Sequence, residues 1–517
     1  MRKRDTTPKT EGKTRALELA LIGIASVVIF AVLQWSTPGI CCGDFDGYYH
    51  IRWSRMLWEG LRSGHFPPEF RGLPLTTLGA TSFADQHFLF HILLMPFTWF
   101  GSLAMGAKCA AVVFGSAAVF ACGWLMWRYR LRHAWLWFGA LLAASSLFLE
   151  RMSMTRAQSL SLVFIVVGMF LLFERKYGWL ALTGFLYVWT YNLFVVLGVM
   201  VLVWMAVTWW TERRVEGAAL GWTLGGMVAG LVVNPYFPHD LRLFWEHVSA
   251  KTALTAGAGA EWYALPSWLL LLSSFVAFAA MVVGYVASGA LLAKGERKKL
   301  QRPLFLLVMA TLLLVATMRS KRFVEYWPAT AVLFAAFAWD AARGGEDSQV
   351  SKSAKPGAPG VIAAAVVLAG CLTFQVRAAR LEMHSQVGAD AYRTGVEWLH
   401  THVPENQMVF DVDWADFPKL YYYDPERAYV AGLDPMYLAD ANPELGRLYA
   451  QIASGQASDM GATIATKFGS HYVFASKPIP RGFYMRAMMS GEFEKIYEDG
   501  ECMILKVKES VGEESGS

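Results

Sequence analysis

Two carboxylates two residues apart, Asp44 and Asp46, stand in the segment Gly43-Asp-Phe-Asp-Gly-Tyr-Tyr-His-Ile-Arg-Trp-Ser-Arg55, with Arg52 and Arg55 close behind. Carboxylates so placed can bind a divalent cation or take a proton from an attacking acceptor; they can equally cap the helix that follows. Asp85-Gln-His87 adds a carboxylate and an imidazole that can face the same site, as metal ligands with Asp46 or as a cap and a snorkelling histidine. Two clusters of cations come next, Arg151 and Arg156 in Glu150-Arg-Met-Ser-Met-Thr-Arg156, and Arg319 and Arg322 in Met318-Arg-Ser-Lys-Arg-Phe323. The arginine fork matches phosphate oxygens, so a lipid phosphate or pyrophosphate is a natural partner, with anchoring to phospholipid headgroups as the plain alternative. Glu261-Trp-Tyr263 follows the Ala/Gly/Thr stretch Thr252–Ala260, a composition that suits a mobile loop presenting one carboxylate or a simple surface linker.

Composition indicates what must position these residues. With 55% hydrophobic and 14% aromatic residues in a chain of 517, and a mean hydropathy of +0.35, the protein is too apolar for a soluble enzyme of its size, and the bilayer is its solvent. The net charge of +5 is small, and the basic residues lie mostly in short loops between apolar runs, which fits membrane topology and argues against nucleic acid as a partner. The six cysteines include the adjacent Cys41 and Cys42 but no C-x-x-C, and define neither a disulfide framework nor a zinc site. A crossing takes about 20 apolar residues; by that test spans fall roughly at 19–35, 107–127, 134–149, 157–173, 179–192, 193–210, 218–233, 268–292, 303–318, 324–340 and 361–376, about eleven helices. The run Phe88–Phe100 contains His91 and Pro96, is short for a crossing, and reads as interfacial or re-entrant.

With that run left outside, the basic segments Arg128–Arg132, Glu174–Lys176, Glu212–Arg214, Lys294–Lys299 and Arg343–Lys355 all become cytoplasmic, as the positive-inside rule requires. This predicts a multi-pass protein of the inner (cytoplasmic) membrane with its N-terminus inside. Asp46, Asp85, Glu150–Arg156, Glu261 and Arg319–Arg322 then lie on the outer face, where that rule disfavours cations and where such charges point to function. From about Ala378 the pattern turns soluble: helix-period stretches Tyr392–His400 and Met436–Ala453 alternate with strand-like Met408–Phe410, Tyr472–Phe474 and Met503–Val507. The expectation is a transmembrane catalytic domain over 1–377 and a periplasmic α/β domain over 378–517, with the acidic end Glu509–Ser517 disordered.

Taken in order, these features resemble the GT-C membrane glycosyltransferases: a first helix, an outer Asp-x-Asp with Tyr-Tyr-His-Ile-Arg, an outer-loop glutamate, an outer arginine-rich helix end, and a soluble C-terminal domain. Within that superfamily the likeness is to the catalytic subunit of bacterial and archaeal oligosaccharyltransferases. It covers about residues 15–380, and Asp44-Phe-Asp46-Gly-Tyr-Tyr-His-Ile-Arg52 is its most specific part. It implies a mainly α, polytopic bundle that moves a sugar or oligosaccharide from a polyprenyl-(pyro)phosphate donor to a protein, lipid or glycan. It also implies that Asp46 holds a divalent cation (Mg or Mn) and orients the acceptor, that Glu261 is the mobile-loop carboxylate, and that Arg319 or Arg322 grips the donor phosphate. The chain departs from the family twice. Where the family has an acidic pair in the second outer loop, it reads Arg151-Met-Ser-Met-Thr-Arg-Ala-Gln158, leaving Asp85 and His87 to compensate. The Trp-Trp-Asp-Tyr-Gly acceptor motif is absent, and Asp411-Val-Asp-Trp-Ala-Asp-Phe417 stands nearest its place, making Asp413, Trp414 and Asp416 further candidates. The rival class is a transporter or flippase that uses the same cations only to bind a lipid-linked or anionic substrate; the gathering of charge at one face, with no inverted repeat, speaks against it.

Overall fold

The computed structural model describes residues 7–42, 45–252, 260–344, 358–384 and 387–508. Asp44, most of the Thr252–Ala260 stretch, the linker beyond Gly344 and the expected disordered end Glu509–Ser517 lie outside the described residues. The first part of the chain is helical: α1 (Thr7–Gln34), α2 (Asp46–Ser63), α3 (Phe88–Leu94), α4 (Leu103–Arg128), α5 (Ala134–Leu142), α6 (Ser146–Met152), α7 (Gln158–Phe173) and α8 (Gly178–Thr190). It continues as α9 (Val195–Glu212), α10 (Gly217–Val232), α11 (His239–Thr252), α12 (Ser267–Ser273), α13 (Phe275–Ala293), α14 (Gln301–Arg319), α15 (Trp327–Ala342) and α16 (Ala358–His384).

Among the described residues 6 helices are long and apolar enough to cross a membrane: Arg15–Gln34, Leu103–Arg128, Asn192–Glu212, Phe275–Ala293, Gln301–Arg319 and Pro359–His384. Their outward faces are aliphatic, with Leu21, Ile24 and Val28 of α1 and Ile362, Val366 and Val367 of α16 all exposed. Apolar surface on this scale is matched by lipid tails and not by water, so the chain is a membrane protein. At the centre stands α15, buried on every side from Trp327 to Ala338.

Several expected spans are broken. The run at 134–149 is two helices, because Ser145 leaves the helix in an extended conformation and its side chain accepts from Phe148 N at 3.2 Å, capping α6. The run at 268–292 breaks at Ser274, between α12 and α13. The two breaks meet in the interior, where Ser274 Oγ donates to Ser145 Oγ at 2.8 Å. Polar interruptions at membrane depth persist only where the freed groups find partners inside the protein. The run Phe88–Phe100 becomes α3 and a 3-10 turn over Met95–Trp99, interrupted where Pro96 enters; seven α-helical residues are too few to cross.

The C-terminal part holds α17 (Arg393–His402), α18 (Phe417–Tyr423), α19 (Met436–Ala441), α20 (Pro443–Ala453), α21 (Met460–Lys467) and α22 (Arg481–Met489). With them goes a sheet of β1 (Met408–Asp411), β2 (Ser470–Ser476), β3 (Phe493–Glu498) and β4 (Cys502–Val507) in the order β1-β2-β4-β3. β1 runs parallel to β2, and the other pairs are antiparallel. Alternation along the strands gives the sheet two apolar faces. Phe410, Val473, Met503 and Leu505 pack under α20 to α22. Val409, Phe474 and Ile504 face Phe70, Leu73 and Tyr421, and so join this part to α2 and the loop after it. Backbone bonds close the seam, from Tyr429 N to Gly72 O at 2.8 Å and from Thr77 N to Tyr437 O at 3.0 Å. Expected as one helix, Met436–Ala453 is two, since Asn442 caps α20 with Pro443 in its first turn.

Candidate active site

Asp46 is the first residue of α2; the N-cap is Phe45, so capping is not the position Asp46 occupies. Its Oδ2 instead meets Arg156 Nη2 at 2.7 Å. Arg151 lies in the last turn of the short helix α6 and Arg156 follows in the loop before α7, so the break at Ser145 brings both to the end of the bundle where α2 begins. Glu261, in the 3-10 turn Ala260–Trp262, joins them: its Oε2 accepts from Arg151 Nη1 at 2.9 Å and from Arg156 Nη1 at 3.2 Å, and its Oε1 from Arg322 Nη1 at 2.9 Å. The turn is tied to the segment after α14, where Ser320 Oγ donates to Glu261 O at 3.0 Å and Lys321 N to Tyr263 O at 3.0 Å.

Charge balance explains how these groups stay ionised. Burial pushes the Glu261 carboxyl up, but Arg156, Arg322 and Arg151 outweigh it and hold the group well below the usual carboxylate range. Arg151 is shared with buried Glu325, Nε to Oε1 at 2.9 Å. Arg322 is buried, donates to Tyr191 Oη at 2.6 Å and lies 4.6 Å from the Trp262 ring centroid. Asp46, Glu150, Arg151, Arg156, Glu261 and Arg322 all line one cavity of about 380 Å³, and Trp414, Asp434 and Tyr437 bring the C-terminal part to the same wall.

Other expected residues stand elsewhere. Arg319 is exposed at the end of α14 and does not line the cavity. Arg52 donates to Tyr422 O at 2.6 Å and lies 5.3 Å from that ring's centroid, a contact that docks α2 on α18. Asp413 accepts from Ala415 N at 3.0 Å and caps a turn, while Asp416 is buried and pushed up to about 7, mainly by that burial. Only Trp414 of that trio reaches the cavity.

The set expected to hold a cation, Asp46 with Asp85 and His87, is not arranged as ligands. Asp85 is committed: its Oδ2 accepts from Trp53 Nε1 at 3.0 Å and from His91 Nδ1 at 2.7 Å, and its Oδ1 from His87 N at 2.9 Å. His87 Nδ1 lies 3.3 Å from Thr190 O, its ring stacked on Tyr191, and burial first, then the charge of His91, lowers it to about 3. Among the described residues no group of three or more His, Cys, Asp or Glu could hold a metal ion.

Two histidines extend this network and were not singled out from sequence. His91 Nε2 lies 2.7 Å from His50 Nδ1, giving a buried chain Asp85–His91–His50 whose members, like His87, line the same cavity. Burial raises and His91 and the His87 N–H lower the Asp85 carboxyl, which ends below its usual value and therefore accepts only. His91 Nδ1 therefore donates to the carboxylate, and His91 Nε2 and His50 Nδ1 share the next hydrogen bond of the chain. Spacing was the available signal: His50 is four residues after Asp46 in α2, on the same face.

No family model and no curated protein matches the sequence. Solved structures do match, and they show that the chain has the fold of the GT-C membrane glycosyltransferases, as the resemblance implied. The archaeal oligosaccharyltransferase AglB of Archaeoglobus fulgidus, in complex with an inhibitory peptide and a dolichol-phosphate, matches at a TM-score of 0.63 and 12% identity over 90% of this chain and 70% of its own. ArnT of Cupriavidus metallidurans, bound to undecaprenyl phosphate, matches at 0.50 and 14% over 94% of this chain and 97% of its own. Arabinofuranosyltransferase AftD from Mycobacteria matches at 0.50 and 13% over 95% of this chain and 41% of its own.

Proposed function

We propose that the protein is a membrane glycosyltransferase that moves a sugar from a polyprenyl-phosphate carrier to an acceptor on the outer face of the inner membrane. The carrying observation is the single cavity in which Asp46 and Glu261 meet the guanidinium groups of Arg151, Arg156 and Arg322. Its position, between the membrane bundle and the C-terminal part, suits a substrate with a lipid tail, a charged phosphate and a polar sugar. Arg322 and Arg151 bind the phosphate; their fork geometry and burial favour an oxyanion over a neutral group. The acceptor atom attacks the anomeric carbon, the bond from that carbon to the phosphate oxygen breaks, and the electron pair leaves on the phosphate, whose charge the arginines stabilise. Asp46 orients the acceptor and takes its proton. The turn bearing Glu261 and Trp262 covers the site against water, because hydrolysis is the competing reaction. The domain reading, 1–377 catalytic and 378–517 periplasmic, belongs to the same proposal.

Purified protein in detergent, given a polyprenyl-phosphate sugar and candidate acceptors, is expected to release free polyprenyl phosphate. A protein that only binds or carries the lipid would return it intact, and that result would end the reading. Orientation has its own test. A phosphatase fused at Ser517 is expected to be active and a cytoplasmic reporter there silent; the reverse would place the cavity on the inner side.

A further inference from the structure

We infer that the guanidinium of Arg156 does the work of the divalent cation that the fold family implies, so that this site bridges its two carboxylates with an arginine. The inference rests on the transfer reading of the same cavity. Its first support is geometric. Arg156 Nη2 lies 2.7 Å from Asp46 Oδ2 and its Nη1 3.2 Å from Glu261 Oε2, so one planar group spans the α2 carboxylate and the loop carboxylate. The second support is position in the chain: Arg156, a cation, lies in the segment where the resemblance implies an acidic pair.

The third support is electrostatic. Glu261 is already shared among Arg151, Arg156 and Arg322, and a divalent ion beside it would face three fixed positive charges instead of a cage of carboxylate oxygens. Asp85, the nearest expected compensating ligand, has both oxygens engaged by Trp53, His91 and the backbone of His87. Arginine suits the substitution: it stays charged at any working pH, and its fork can hold two carboxylates at fixed separation. It thereby ties the Glu261 turn to the start of α2 without an ion to be acquired or lost.

The test measures metal and turnover separately. Mn²⁺ is added to the full-length protein in detergent and the free ion followed by its EPR signal. Wild type and Asp46→Asn are expected to leave equal amounts of Mn²⁺ free. Arg156→Asp, which places a third carboxylate where the guanidinium stands, is expected to take up one more ion per chain, and Arg156→Asp with Asp46→Asn to lose it. An ion bound by wild type and released by Asp46→Asn overturns the inference, as does a folded Arg156→Asp that takes up none. Should that variant fail to fold, Arg156→Ala serves. It is expected to lose turnover by about a hundred-fold and to regain part of it with added guanidinium ion, whereas unchanged turnover overturns the inference. If wild type releases no polyprenyl phosphate at all, the transfer reading fails, and the Mn²⁺ titration still decides what Arg156 replaces.

Discussion

Asp46→Asn is expected to lower turnover by about a hundred- to ten-thousand-fold while leaving a folded protein, the loss typical of removing a general base. An amide has nearly the same shape as the carboxylate but accepts no proton, and it pairs poorly with the guanidinium 2.7 Å away. What the fold loses is the charge of one pair and not a helix cap. Asp46 is the first residue of α2 and not its N-cap, and its side chain is 19% exposed beside Arg156. Removing a negative charge from the first turn of a helix costs about 0.3–1 kcal/mol. Release of polyprenyl phosphate, compared with the thermal melt of the same preparation, checks both halves. If Asp46→Asn retained more than about half the wild-type turnover with an unchanged melt, the carboxylate would be only an anchor for Arg156.

Arg322→Ala should weaken donor binding by about ten- to a hundred-fold, the effect of losing a charge-assisted contact of about 1.5–3 kcal/mol. Arg319→Ala should change it by no more than about twofold, as for an exposed surface substitution. The contrast follows from placement. Arg322 is buried, stacked on Trp262 and bonded to Tyr191, and it lines the cavity. Arg319, three residues earlier, ends α14 with its side chain exposed. Arg322→Lys should recover little of the loss, because an ammonium supplies the charge without the planar fork that reaches Tyr191 and Glu261 together. Titration with a polyprenyl phosphate in detergent measures all three; equal effects of Arg319→Ala and Arg322→Ala would mean that phosphate is held elsewhere.

How far the sequence could be read depended on what each signal measures. Charge between apolar runs, on the face expected to lie outside, picked out Asp46, Glu261, Arg151, Arg156 and Arg322, and the structure brings these side chains to one cavity. Hydropathy averages over a window, so it passed through Ser145 and Ser274, whose side chains each need only one partner to stop a helix inside the bundle. It also read α8, which is 13 residues long, as a full span. β3 was missed for a related reason: Phe-Glu-Lys-Ile-Tyr-Glu is an edge strand, and its charges mark the open side of the sheet rather than a turn. His91 counted only as a reason to deny a crossing, and His50 only as part of a motif. Their pairing joins α2 to α3 across 41 residues of chain, and no local pattern reports a contact of that range.

The sharing of Glu261 among three guanidinium groups means that an anion entering the cavity meets donors already in use. The guanidinium groups of Arg151, Arg156 and Arg322 only give hydrogen bonds, and in this structure they give them to the carboxylates of Glu261 and Asp46. Such an anion binds by taking the place of a carboxylate or by sharing a guanidinium fork with it, and a molecule without charge can do neither. The site therefore works by exchange of one anion for another, and turns away uncharged molecules before any contact reads their shape.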